Sequence, residues 1–229
     1  MDKVVVSIGG SILIPDRDDS SYIRELSVLL RELVREQQIV VVCGGGKISR
    51  YYANTGRELG GDTFQLDELG IMITRANAGL LRIALGELRV DELPVEAERA
   101  AELSEPGNVV VMGGTVPGHT TDAVSAMVAR ALGADRVVNA TSVDAVYSED
   151  PRVNPEAERY TDMSIDQLAE IVYSEHGAGK SSVFDPLGIK IAKDNGINIV
   201  IVDGRDLVEL GNAIRGEGFR GTLVRSKRG

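Results

Sequence analysis

The chain has 229 residues, 43% hydrophobic and 26% charged, enough to bury one large core or two intimate lobes. Its net charge of −10 argues against a nucleic-acid surface, so any phosphate it holds must be met by local backbone and a few placed cations. The single cysteine, Cys43, excludes an internal disulfide and a multi-cysteine metal site, and it fits a reducing, cytoplasmic setting. No apolar run reads as a signal peptide or as a membrane span.

The first element is a strand, "KVVVSI" (3–8), whose unbroken β-branched run suits burial on both faces of a parallel sheet. It ends in the glycine turn "SIGGS" (7–11). From Ser20 the sequence "SSYIRELSVLLRELVREQ" places Ile23, Leu26, Leu29, Leu30 and Leu33 on one helical face, with Asp19 or Ser20 as N-cap. A second strand, "QIVVVC" (38–43), runs into "CGGGKISR" (43–50). There Lys47 and Arg50 lie three apart on one helix face, as two solvated cations or as stabilisers of a transferring phosphoryl group. Tyr51 and Tyr52 read as helix packing. A helix is predicted at about 64–86, then a strand, "NVVVMG" (108–113), and a third glycine cluster, "MGGTVPGHTTD" (112–122).

That cluster sets two hydroxyls and a carboxylate, Thr120, Thr121 and Asp122, at the start of a helix over about 122–132. One hydroxyl suffices for capping, so the surplus suggests a ligand. The strand "RVVNA" (136–140) leads into "NATSVDAVYSEDP" (139–151), where Asp144, Tyr147 and Asp150 suit either a loop gripping a nucleoside or a plain turn. The polar, proline-marked "YSEDPRVNPEAERYTDM" reads as a surface loop. Helices follow at about 164–173, 185–195 (Asp185 as N-cap, Pro186 at the first helical position) and 206–214, with strands "INIVIV" (197–202) and "GTLVRS". The tripeptide "GKS" in "SEHGAGKSSV" (174–183) resembles the end of a P-loop. The pattern needs glycine where Ser174 stands, and a helix precedes it rather than a strand, so the likeness is accidental. His119 and His176 have no metal-ligand spacing; His119 lies within a glycine cluster and can border a substrate.

The alternation of strands and helices predicts an α/β sandwich. Three glycine clusters at strand ends, each before a helix, point to phosphate held by backbone amides and helix N-termini.

"IGGS", "GGGKISR", "GGTVPGHTTDAVSAMVA" and "TSVDAVYSEDP", in this order and spacing, resemble the amino-acid kinase superfamily, and within it the short archaeal type of uridylate (UMP) kinase. The likeness covers nearly the whole chain and includes "LGIMITRANAGLL" (69–81). It implies a three-layer α/β sandwich with an open, mainly parallel sheet of about eight strands in one domain, 1–229. The acceptor (UMP) half would span about 1–134 and the ATP half about 135–229.

The activity implied is transfer of the ATP γ-phosphoryl group to UMP, giving UDP and ADP in pyrimidine nucleotide biosynthesis. Magnesium would arrive on the nucleotide, with no metal held by protein ligands. UMP contacts would come from Gly45, Asp67 and the run Thr115, Val116, Pro117, Gly118, His119, Thr120 and Thr121. ATP contacts would come from Gly9, Gly10, Ser11, Gly46, Arg50, Thr141, Ser142, Tyr147 and Asp150. The resemblance also implies a homohexamer built as a trimer of dimers, and feedback by UTP.

One departure stands out: many members carry a lysine in the first strand where this chain has Ser7. The catalytic cation is then expected from Lys47 first, Arg50 second and Lys190 third, with Asp122 organising the hydroxyls and lysine. Two alternatives stay open: another small-acceptor kinase of this fold, for isopentenyl phosphate or carbamate, and a non-catalytic nucleotide-binding module.

Overall fold

The computed structural model describes residues 1–15, 19–175 and 183–226. The "GKS" segment and His176 lie outside them. The continuous apolar runs become the strands of one sheet: β1 (Asp2–Ile8), β2 (Gln37–Cys43), β3 (Val109–Met112), β4 (Arg136–Thr141), β8 (Asn198–Asp203) and β9 (Gly221–Arg225), with a short edge strand β7 (Asp162–Ser164). The order is β3-β2-β1-β4-β8-β9-β7, seven strands among the described residues against the expected eight or so. All neighbours are parallel except β8 with β9.

Because side chains alternate across a pleated strand, each run feeds two cores. Val4, Val6 and Ile8 of β1 with Ile39 and Val41 of β2 pack under α2 (Ser21–Leu33), α4 (Thr63–Leu85) and α9 (Leu207–Arg215). Val5, Val40, Val42 and Val110 pack under α5 (Ala97–Leu103), α6 (Thr121–Leu132), α7 (Ile165–Glu175) and α8 (Pro186–Asn195). Strands buried on both faces therefore show no alternation in sequence.

The capping chemistry holds. The Asp19 carboxylate accepts the Ser21 N–H at 2.9 Å, and Asp185 accepts from Leu187 and Gly188 ahead of Pro186. Thr120 caps α6 through Ala123 N–H.

Three expectations change. The polar stretch after Tyr147 is not simply a loop: β5 (Val146–Tyr147) and β6 (Arg159–Tyr160) pair antiparallel as a small hairpin, and β7 joins the main sheet through β9. Thr222 fixes the hairpin to that sheet, its hydroxyl donating to Tyr160 O and accepting from Val146 N–H. Tyr51 and Tyr52 do not pack inward: they meet edge-on and stay exposed on α3 (Gly46–Glu58), a helix with no buried residue. Thr63–Leu88 is long and apolar enough by composition to cross a bilayer, yet in the fold it is α4 with its following turn, packed against α2, α3 and β3.

Candidate active site

The strand order reverses direction at β1, since β2 and β3 lie to one side and β4 and β8 to the other. In such sheets the crevice at the carboxyl ends beside the switch strand takes the ligand. The chain stitches those ends together with backbone bonds of 2.9 Å each: Gly44 N–H donates to Ile8 O, Gly9 N–H to Ala140 O, and Gly204 N–H to Thr141 O. The turns after β1, β2, β4 and β8 therefore stand side by side on one edge.

The first two turns meet without side chains between them. A methyl group on Gly10 would lie 2.3 Å from Gly46 N, and one on Gly46 would lie 2.4 Å from Gly10 C. Gly46 also holds φ at +64°, which side-chain-bearing residues rarely adopt. Above this contact Arg50 reaches from α3 to donate to Ser11 Oγ at 3.2 Å. Lys47 and Arg50 are both exposed in the first two turns of α3.

The third turn, Gly113 to Thr120, is held by α4. Gly118 N–H donates to the Asp67 carboxylate at 2.8 Å. Thr74 Oγ1 accepts Gly114 N–H at 2.7 Å, while Arg75 donates to Gly114 O at 3.2 Å and Thr115 O at 2.9 Å. Buried Asn77 donates to Gly44 O at 2.8 Å, joining the same helix to the second turn. Thr115 Oγ1 and His119 Nδ1 stand 3.4 Å apart within the loop. Gly45, Asp67 and the loop from Thr115 to Gly118 are thus gathered on one helix, with Thr120 and Thr121 following at the start of α6. Thr74, Arg75 and Asn77 are supports that the glycine motifs do not indicate; three polar residues within the apolar "LGIMITRANAGLL" are the sequence signal for them.

On the other side of β1, Thr141 and Ser142 are tied to the turn after β8, where Arg205 donates to Ser142 O and to the Asp203 carboxylate. Tyr147 donates to Asp144 at 3.1 Å, and Arg159 of β6 grips the same carboxylate. Asp150 serves its own turn, accepting from the backbone and guanidinium of Arg152. Lys190 bonds Asp194 at 2.6 Å on the exposed face of α8. Lys3, at the opposite end of β1, donates to Leu132 O.

Behind the crevice Ser7 Oγ donates to Asp122 Oδ1 at 3.4 Å. Asp122 as a whole is only half-buried, yet the protein atoms crowding its carboxyl push it up to about 7, and the nearby Asp185 carboxylate adds to the rise. The Ser7 hydroxyl and the Asp185 N–H oppose that shift.

A mainly parallel sheet with three glycine turns and two exposed cations at its carboxyl edge defines an α/β protein with the chemistry to hold an anion there. The description "Amino acid kinase family" matches residues 2–203, and the chain belongs to that family. It is 41% identical over 226 residues to a uridylate kinase of Methanobrevibacter smithii, covering 98% of this chain and 100% of that one. It is also 41% identical over 223 residues to a uridylate kinase of Pyrococcus abyssi, covering 97% and 99%. Among solved structures, uridylate kinase from Archaeoglobus fulgidus superposes with a TM-score of 0.86 at 40% identity, over 96% of this chain and 99% of that one.

Proposed function

We propose that this protein is a UMP kinase, a nucleoside-monophosphate kinase that transfers the γ-phosphoryl group of magnesium-ATP to UMP, giving UDP and ADP. The observation that carries the reading is near-full-length similarity to archaeal uridylate kinases, on a fold whose three glycine turns share one edge.

UMP binds on the β1–β2–β3 side, between Gly45, Asp67 and the loop Thr115–Thr121. ATP binds across β1 and β4, its phosphates on Gly9, Gly10, Ser11 and Gly46 and its nucleoside against Thr141, Ser142 and Tyr147. The acceptor half, about 1–134, and the ATP half, about 135–229, meet where β1 pairs with β4. A phosphate oxygen of UMP attacks the γ-phosphorus, the bond to ADP breaks, and the peripheral oxygens carry the charge. Lys47 and Arg50, projecting from the first turns of α3, stabilise that charge. No strong base is needed, because the attacking phosphate is already ionised.

The same reading carries a homohexamer. Val28, Met72, Leu80 and Ile83 are exposed on α2 and α4, and a groove of about 400 Å³ lined by Ser20, Ile23, Arg24, Ser27, Leu80, Ile83 and Ala84 runs between these helices. A second copy docked there forms the dimer, three of which make the hexamer. UTP, sharing the uridine, inhibits in competition with UMP.

The test is ADP release from magnesium-ATP with UMP, CMP, dTMP, AMP, isopentenyl phosphate, or bicarbonate with ammonia. Activity confined to UMP is expected. Activity on isopentenyl phosphate or carbamate instead would move the chain to another acceptor, and silence with intact nucleotide binding would make it a binding module.

A further inference from the structure

β1 is an apolar run broken by one hydroxyl. Val4, Val5, Val6 and Ile8 are fully buried; Ser7 is the polar residue among them, 2% exposed. Parallel-strand backbone bonding makes no demand for a hydroxyl at this position, and a valine would continue the pattern. The Ser7 side chain reaches Asp122, 115 residues further on.

Asp122 sits in the first turn of α6, where the helix N-terminus favours a carboxylate. Burial and a second carboxylate work the other way and prevail. The charged groups around it are few among the described residues. α8 presents Asp185, whose carboxylate caps that helix and whose N–H turns toward Asp122. On β1, Lys3 lies at the far end on Leu132 O. β2 carries no charged residue. On β4, Arg136 lies at the strand's start and bonds Ile214 O. α5 meets the far end of α6, where Glu98 pairs with Arg130.

We propose that Ser7 is a positioning residue for phosphoryl transfer: its hydroxyl bonds the Asp122 carboxylate and fixes it between the N-termini of α6 and α8, behind the β1–β4 crevice. The role rests on the kinase reading for its effect on turnover, but not for its effect on Asp122. The contact is long for a hydroxyl–carboxylate bond, so its influence is modest and reads best as a shift in titration. Loss of the hydroxyl leaves the Asp185 N–H as the hydrogen bond opposing burial and the Asp185 carboxylate, and the Asp122 proton is held to higher pH.

The experiment compares wild type, Ser7→Ala and Ser7→Thr. One arm follows kcat and KM for UMP against pH. The other follows the Asp122 carboxyl carbon by NMR in the protein without substrates, assigned through Asp122→Asn. In Ser7→Ala the Asp122 midpoint and the acid limb of kcat should rise together, by about half a unit to one unit, with KM changing less than kcat. Ser7→Thr, which keeps a hydroxyl, should restore both.

An unshifted Asp122 midpoint in Ser7→Ala overturns the positioning role whatever the substrate. A shifted midpoint with an unmoved acid limb overturns its link to turnover. Wild type that transfers nothing to UMP refutes the kinase reading instead, and the NMR arm still decides what Ser7 does to Asp122.

Discussion

The carboxylate of Asp67, on α4, accepts the backbone N–H of Gly118 at 2.8 Å and so fixes the tip of the loop that follows β3. These two residues are 51 apart in sequence, one on a helix and the other in a turn. On the proposed reading Asp67 acts on the UMP site through the loop as well as through any direct contact with a ribose hydroxyl. Asp67→Ala should raise KM for UMP roughly tenfold or more, the scale of a lost charge-assisted bond, with a smaller effect on kcat. Steady-state kinetics with both substrates varied checks this. A change confined to ATP would put the acceptor on the wrong side of β1.

Lys47 stands in the first turn of α3, beside the Gly10–Gly46 contact where the turns after β1 and β2 meet. Lys47→Ala should lower kcat about 100-fold or more while KM for UMP changes little, as expected for a cation that acts on transition-state charge. Rapid-quench measurement of the transfer step distinguishes this from slow product release. Wild-type turnover in the variant would remove Lys47 from the mechanism.

Asn77 is buried on α4 one turn after Thr74, the other polar residue on that side, and its amide supports Gly44 O. Asn77→Leu leaves a backbone carbonyl unpaired beneath the second turn. A loss of about 1–3 kcal/mol in urea unfolding is expected, together with weaker binding of both nucleotides if, as proposed, Gly45 meets UMP and Gly46 meets ATP. Stability equal to wild type would mean that the turn does not depend on α4.

Asp122 also makes a prediction about stability. Its carboxyl titrates at about 7 in the folded protein and near the ordinary value of roughly 3.9 when unfolded. Between those limits the folded state binds the proton more tightly, so stability falls as pH rises from about 4 to 7 and the penalty is complete above that. Asp122→Asn should therefore melt higher than wild type at pH 8, with the gap closing toward pH 4, while phosphoryl transfer drops. Parallel melting curves across that range would show that the carboxyl is not strained.

Much of the architecture was legible because five strands, β1 to β4 and β8, carry β-branched apolar runs, a pattern that survives only where both faces are covered. The hairpin of β5 and β6 and the edge strand β7 were not, since two or three residues in a polar stretch carry no period and owe their pairing to Thr222 and β9. Tyr51 and Tyr52 depart from expectation for a related reason: aromatic residues usually mark a packed face, and here both lie on the solvent side of α3, which meets α4 but buries no residue fully. The glycine clusters announced the candidate site, but the supports did not announce themselves. Thr74, Arg75 and Asn77 act through backbone groups 30 to 40 residues away, and the Ser7–Asp122 contact joins a strand to a helix across half the chain.

Gly10 and Gly46 already carry the smallest side chain available, so neither position can relieve a change at the other. Most crowded sites in a protein can drift by exchange, one residue shrinking as its neighbour grows. This one has no such reserve. Variation in how the two loops approach each other must enter through the flanking chain, such as the length of the turns or the seating of α3. The junction is therefore expected to be among the slowest parts of the molecule to change, independently of which nucleotide it serves.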